Sequence, residues 1–384
     1  MSYLLSRFAL MSGNFVTGIS VLAPAGMLNE LSQGLNVSIR DAGLLVTYGA
    51  VMLCFASPIV SWLTTRIGRR MLLAGTLAFV GMGHIASAFA DSYAMLLALR
   101  IAILGFAAIY TPQAASTISL IVPEKLRAGA IAFVFLGWSL AIAVGLPIIT
   151  ALATHFGWRE TYVAIGLVAV TAAVLNAATL PNGLRGHPLS LHSFVTIAKD
   201  KTLLLILLIT LFQMSGQFAI TVYLAPVLSK LADAGPGAVG TFFSLLGVAG
   251  LIGNVIATNV VVRAGVQRTL GAFMIVMATG GLVWAFGGGT LSVMAVGIFI
   301  LGLGVTAANS MQQARLVMAA PLLASATVAL NTSVLYVGQA IGSAAAGLLF
   351  ASEFYRAIGF VAVGFFFCAF VTFLLTRQPK RQHQ

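Results

Sequence analysis

A few polar side chains interrupt the long apolar runs of this sequence, and they are the residues best placed to bind a ligand. Most carry an amide, a hydroxyl or an indole N–H, so the chemistry they offer is hydrogen bonding. In apolar surroundings each must find a partner, either on a neighbouring helix or on a bound molecule, and both explanations stay open for every one of them. The candidate binding residues are Asn14, Thr17, Tyr48, Arg100, Tyr110, Gln113, Trp138, Gln213, Gln217, Asn309, Asn331, Tyr336 and Gln339, with Tyr223 and Gln312 of the same kind. Such a set suits a neutral or anionic, partly aromatic small molecule.

Arg100 is the only charged residue that we place well inside an apolar run. An unpaired guanidinium in a bilayer costs at least about 3 kcal/mol, so the side chain should point into the protein. Its partner could be the carboxylate of Asp41 or an anionic group of a ligand, since both suit the planar fork of arginine. The alternative is that the side chain extends to the outer membrane interface.

The residue patterns of an enzyme are absent from the sequence. We find no nucleophile, base and acid at catalytic spacing, no metal-ligand spacing and no nucleotide-binding loop of the Walker type. Cys54 and Cys368 lie in different apolar runs and are interpreted as packing residues. His84 receives the same interpretation, although an imidazole can titrate near neutrality. We therefore predict no catalysis, no cofactor and no metal.

Membrane-spanning helices are the elements that must position the polar residues. Hydrophobic residues make up 60% of the 384, charged residues make up 7%, and the mean hydropathy is +1.05, so lipid must be the solvent. A spanning helix needs about 20 mostly apolar residues. Twelve such runs can be placed, which predicts an all-α, multi-pass protein of a cell membrane. The predicted spans are 8–28, 42–64, 71–89, 94–121, 130–154, 161–180, 202–228, 238–262, 270–286, 291–311, 324–350 and 358–375.

Basic residues are concentrated in the segments between alternate spans. If the N-terminus is cytoplasmic, the cytoplasmic segments hold fifteen lysines and arginines and the outer turns hold four. This positive-inside bias predicts that both termini face the cytoplasm, as in a protein of a bacterial inner membrane. Because these short clusters account for the net charge of +12, we predict no nucleic-acid partner.

The longest polar interval, residues 181–201, divides the spans into two sets of six. We predict an N-terminal six-helix bundle over 1–180, a cytoplasmic linker over 181–201, and a C-terminal six-helix bundle with a short basic tail over 202–384. Several features recur at an offset of 197 residues, among them Gly68 with Gly265 and Gly145 with Gly342, which indicates an internal repeat. Two halves related by a pseudo-twofold axis are typical of proteins that bind a solute between them near the bilayer midplane.

The turn between the second and third spans reads Ser61-Trp62-Leu63-Thr64-Thr65-Arg66-Ile67-Gly68-Arg69-Arg70. Gly68 is expected to make a tight reversal with positive φ. The three arginines can hold carboxylates or helix C-termini of a neighbouring span in one conformation. This segment resembles the signature loop of the major facilitator superfamily, with Ser61 in place of the usual glycine and Thr65 in place of the usual aspartate. The alternative is a cytoplasmic loop that is merely basic.

The fifth and eleventh spans carry stripes of small residues, which allow helices to approach closely. One stripe is formed by Gly137, Ala141 and Gly145 and is followed by the helix-bending Pro147; the other is formed by Gly338, Gly342 and Ala346. The first stripe resembles the antiporter motif of the same superfamily. The second resembles the matching segment of arabinose-type, sugar-efflux and purine-efflux permeases. The residues expected to serve conformational change are Arg66, Gly68, Arg69, Arg70, Gly137, Gly145, Pro147, Gly338 and Gly342.

The sequence around Arg100, from Leu99 to Gly105, is similar to the fourth-helix motif of the family, so the resemblance covers essentially the whole chain. It implies a secondary transporter of the twelve-span drug and metabolite:proton antiporter branch, which exports a small organic solute by alternating access. These relatives commonly carry an acidic residue in the first span, whereas residues 12–20 hold none here. Proton exchange is therefore expected to use another group or to be absent.

The sequence is also compatible with two other functions. One is an uptake permease or facilitator for a small polar or anionic metabolite, because inward and outward transport share an architecture. The other is a membrane sensor or scaffold, which would be expected to carry an appended soluble domain. The expected partners are a small-molecule substrate, the lipid bilayer and, in an antiporter, protons; a monomer is expected.

Overall fold

The computed structural model describes residues 2–64, 67–123, 127–185, 191–320 and 323–376. The apolar runs form helices because, in lipid, each backbone amide and carbonyl must be satisfied within its own segment. The first half of the chain contains α1 (Ser2–Gly26), α2 (Leu28–Leu35), α3 (Ile39–Leu63), α4 (Arg69–Ser87), α5 (Tyr93–Ile121), α6 (Arg127–Leu140), α7 (Leu146–Phe156) and α8 (Trp158–Thr179). The second half contains α9 (Leu191–Lys199), α10 (Lys201–Val222), α11 (Leu224–Ala232), α12 (Pro236–Phe286), α13 (Leu291–Ala319), α14 (Ala324–Ala351) and α15 (Tyr355–Leu375).

The all-α membrane fold is confirmed, with one difference in how the spans are divided. In the described residues, eleven helices are long and apolar enough to cross a membrane. The predicted eighth and ninth spans are merged into α12, whose 51 residues would measure about 77 Å as one straight helix, more than twice the hydrocarbon thickness. Gly265 breaks that run with φ 78° and ψ 160°. Two crossings therefore follow one another through Gly265 without an intervening loop.

The turn before α4 differs from the prediction at Gly68. Its φ is −59° and its ψ is 133°, an ordinary extended conformation, because Gly68 is the residue that precedes the first turn of α4. The positive φ occurs instead at Gly265, the residue that the offset of 197 residues pairs with Gly68. The Arg69 amide donates to the Leu184 carbonyl over 2.9 Å. Arg66 lies outside the described residues.

The small-residue stripes pack helices together within each half. A Cβ added at Gly137 would overlap the Met11 carbonyl oxygen of α1, and one added at Gly338 would approach the Leu211 carbonyl oxygen of α10 to 2.5 Å. Gly137 and Gly338 therefore occupy equivalent places in the two halves. The offset between these two glycines is about one helical turn longer than the predicted offset of 197 residues. The fifth span is irregular between α6 and α7, where Ala141–Gly145 forms a π-helical turn ahead of Pro147.

We call the end of the bundle at which α1 begins and α15 ends the terminal end, and the opposite end the far end. α10 and α14 both run from the terminal end to the far end, as α1 does. These directions fix the depth of each side chain discussed below.

Candidate functional site

Contacts between the two halves are concentrated toward the far end. On one side α3 lies along α14, where Thr47 Oγ1 donates to Ser343 Oγ over 2.9 Å. Nearer the far end, the Tyr223 side chain packs against Gly43 and Gly347. A Cβ added at either glycine would overlap it. Two glycines from opposite halves thus leave the space that one tyrosine ring fills.

On the other side, α12 lies along the irregular fifth span. Proline has no N–H, so Pro147 leaves the carbonyl of Ala143 without its usual helical donor. Ser244 Oγ of α12 donates to that carbonyl over 3.2 Å. One turn further along α12, Gly247 contacts Ala143 so closely that an added Cβ would overlap the Ala143 backbone. The break in one half is therefore satisfied by the other half.

A small cavity lies between the halves beside this contact, near the middle of the helices. Its volume is about 10 Å³, room for about one water molecule. The lining residues come from the fifth span, α10, α12 and α13, and are Ser139, Ile142, Gln217, Leu246, Gly247, Gly302, Val305 and Thr306. Hydroxyl, amide and apolar groups line it, so a molecule held there would be bound by hydrogen bonds and apolar contact.

In the first half, the predicted polar residues satisfy one another. Trp138 Nε1 donates to Thr111 Oγ1 over 3.1 Å, and Thr111 Oγ1 donates to Asn14 Oδ1 over 2.9 Å. Asn14 Nδ2 then donates to the Val134 carbonyl over 3.0 Å. Because each of these groups already holds a protein partner, the network fastens α1, α5 and α6 together.

Tyr110 is part of a second closed network in the same half. Its hydroxyl donates to Asn176 Oδ1 over 2.9 Å, and Asn176 Nδ2 donates to the carbonyls of Ala9 and Ala172. Tyr110 is fully buried against Gly13. Thr17 donates to the Gly13 carbonyl of its own helix.

The second half offers polar groups of a different kind. In the described part of the chain, both amide atoms of Gln213 and of Gln339 are buried and have no hydrogen-bond partner. Asn309 Oδ1 is in the same condition. Asn331 Oδ1 accepts from Thr210 Oγ1 over 2.7 Å, and Gln312 donates to the Ile206 carbonyl.

Arg100 is 2% exposed and is bound by main-chain carbonyls of the first two spans. Its Nε donates to Leu45 over 2.6 Å, its Nη1 to Ser20 over 3.1 Å and its Nη2 to Val21 over 2.7 Å. The Ser20 carbonyl lacks its helical donor because Pro24 stands four residues later. The proposed partner Asp41 instead accepts from Ser38 Oγ, at the start of α3.

The remaining predicted residues are dispersed. Tyr48 is 44% exposed, whereas Gln113 and Tyr336 are buried. His84 is buried, its Nε2 lies 2.9 Å from Ser20 Oγ, and its ring stacks on Tyr162. Outside the spans, burial raises the pKa of the Glu30 carboxyl, which accepts from Thr154 Oγ1 at the far end.

Sequence reasoning missed most of the cavity wall, because its members are small or aliphatic. Of the residues that line the cavity, only Gln217 was among the predicted binding residues. Ser139 and Thr306 each place a hydroxyl inside an apolar run. They would have been found if serines and threonines had been searched for in the same way as the larger polar residues.

Comparison with known proteins gives a consistent result along the chain. The profile of the Major Facilitator Superfamily matches residues 10–334 and again 206–384. The inner membrane transport protein YdhP of Escherichia coli (strain K12) is 28% identical over 88% of this chain and 87% of its own length. A probable sugar efflux transporter of Mannheimia succiniciproducens is 24% identical over 91% of this chain and 87% of its own. The uncharacterized MFS-type transporter YtbD of Bacillus subtilis is 31% identical, over 65% of this chain and 63% of its own length. The helices, the paired halves and these matches lead to one conclusion: the chain is a membrane transporter that belongs to the major facilitator superfamily.

Proposed function

We propose that this transporter exports a small organic solute by alternating access. The observation that best supports the proposal is the cavity between the halves, near the middle of the helices, with the inter-half contacts of Tyr223 and Gly247 on its far-end side. The cavity has room for about one water molecule in this arrangement, so a solute would bind there only once the halves move apart. It would be released toward the far end when those contacts separate. The names of the sugar efflux relatives favour export over uptake.

Export also requires that the far end face outward, which the positive-inside bias favours. We expect a Lys199→Cys variant, with Cys54 and Cys368 replaced, to react with a membrane-impermeant maleimide only in inside-out vesicles. Lys199 and Lys230 are both exposed, at the terminal and far ends respectively. Lys230→Cys is therefore the matched control and should react only in intact cells. The reverse pattern would overturn the orientation.

Proton exchange is the finer part of the proposal. Among the described residues, Glu30 is a carboxylate whose pKa burial raises, and it lies at the far end against the fifth span. It is therefore a candidate for protonation from the outer side. We also propose two six-helix units joined by the segment 181–201, which move relative to each other, and a monomer as the working unit.

The test is counterflow of a labelled solute panel in proteoliposomes, at several pH values and with an imposed pH gradient. Exchange without a gradient and outward-directed accumulation driven by protons is the result expected of an antiporter. Exchange that does not depend on the pH gradient would indicate the alternative function, a facilitator. A correctly inserted protein that exchanges no member of a broad panel would contradict transport.

A further inference from the structure

Two buried glutamines of the second half make no side-chain hydrogen bond within the described residues. Gln213 and Gln339 are each 1% exposed, and both amide atoms of each lack a hydrogen-bond partner in the described residues. Leaving a buried polar group unpaired is unfavourable, because it loses its hydrogen bonds to water and gains none in return, and here four such atoms are left unpaired. A protein that retains them gains something in another state or with a ligand bound.

Helical spacing directs both side chains toward the space between the halves. Gln217, one turn along α10 from Gln213, lines the inter-half cavity. Ser343, one turn along α14 from Gln339, accepts the hydrogen bond of Thr47 from the opposite half. In both cases the glutamine lies one turn closer to the terminal end. Gln213 and Gln339 also lie near the midpoints of α10 and α14, so they share a depth.

The first half presents the opposite situation at this depth. Asn14 and Trp138 are held by the closed network through Thr111. At this depth, and among the described residues, the amides of the first half are therefore paired, whereas Gln213 and Gln339 of the second half are not. Asn14 and Trp138 are already hydrogen-bonded within the protein, whereas Gln213 and Gln339 are free to hydrogen-bond to a ligand.

The chemistry of an amide defines what it can recognise. Each glutamine presents an acceptor oxygen beside an N–H donor. An anion would satisfy the N–H groups and repel the oxygens, and a cation would do the reverse. A neutral solute with neighbouring hydroxyls satisfies both, because each hydroxyl donates and accepts. Apolar cavity residues such as Ile142 and Val305 suit its C–H faces.

We infer that Gln213 and Gln339 are specificity-determining residues of the C-terminal half, and that they bind a neutral polyhydroxyl solute during transport. This inference rests on the proposed transport function. Each glutamine that is replaced removes two neutral hydrogen bonds, so a rise of about tenfold in the half-saturation concentration is expected for either one.

The experiment measures counterflow in proteoliposomes with labelled xylose, glucose, lactose, glucuronate and glucosamine, each supplied separately. Unlabelled glucose, glucuronate and glucosamine act as competitors that share a pyranose ring and are neutral, anionic and cationic respectively. Wild-type protein should prefer the neutral competitor. Gln213→Leu and Gln339→Leu should each raise the half-saturation concentration about tenfold. Gln33→Leu, the same change at an exposed position on α2, should leave it unaltered.

A charge variant separates recognition from a merely structural role. Gln339→Glu should shift competition toward glucosamine by about tenfold relative to glucose, which a packing defect would not do. Counterflow of only glucuronate or only glucosamine by the wild type, or unaltered selectivity in all three glutamine variants, would overturn the inference and leave the transporter intact. Failure of every solute, charged or neutral, would overturn the proposed function itself.

Discussion

A Gly247→Leu variant should insert and fold, yet lose transport by at least tenfold. Gly247 touches the backbone of Ala143 in the opposite half, where not even a Cβ fits. Overpacking costs about 1 to 3 kcal/mol when a side chain can yield, and here the obstacle is main chain that cannot. The halves can only separate, so the variant is expected to stay open at the far end.

The measurement is a pair of readings on the same protein. Transport is measured by counterflow. Far-end opening is measured by maleimide labelling of Ser343→Cys, which lies against Thr47 in the contact between α3 and α14, on the other side of the molecule from Gly247. In the Gly247→Leu background this cysteine should react faster than in the wild type. Normal transport with unaltered labelling would show that the contact between Gly247 and Ala143 is not required during the transport cycle.

Two further glycines serve as controls. Among the described residues, no atom lies within 4 Å of a Cβ added at Gly364, so Gly364→Leu should transport normally. Gly342 contacts the backbone of Ser215 within its own half, so Gly342→Leu should reduce the amount of folded protein. This contrast separates a defect of closure from a defect of assembly.

Hydropathy located the spans well, because lipid requires each backbone group to be satisfied inside its own helix. It could not show that the eighth and ninth spans are continuous, since a single residue, Gly265, decides whether they are joined by a loop. The predicted offset of 197 residues differs by about one helical turn from the offset at which Gly137 and Gly338 make equivalent contacts. Close packing fixes register, and sequence spacing alone does not.

The polar residues show where sequence reasoning ends. Asn14 and Gln213 are both amides in the middle of a span, and their sequences give no reason to treat them differently. What separates them is the neighbour: Thr111 and Val134 reach Asn14, whereas the described residues offer Gln213 no partner. Such information comes only from the arrangement of helices in three dimensions.

The largest loss of stability is expected at Arg100. Three main-chain carbonyls of α1 and α3 converge on its guanidinium, all in a buried place. A hydrogen bond to a charged group contributes about 1.5 to 3 kcal/mol, and Arg100→Ala removes three at once. We expect this variant to be recovered in low yield, with a clearly lower melting temperature in detergent. Lysine, a compact point charge, cannot reproduce the fork, so Arg100→Lys should fall between.

Arg100 was predicted to bind Asp41 or a substrate anion, and the carbonyl contacts lead to a different expectation. Asp41→Asn should be mild, since Asp41 is engaged by Ser38. The decisive variant is Pro24→Ala, which restores an N–H four residues after Ser20. If Arg100 replaces the donor that Pro24 lacks, Pro24→Ala should recover part of the stability lost in Arg100→Ala, while having less effect in the wild type. Equal effects of Pro24→Ala in both backgrounds would show that the two residues act independently. A wild-type melting temperature for Arg100→Ala would show that the three hydrogen bonds contribute little.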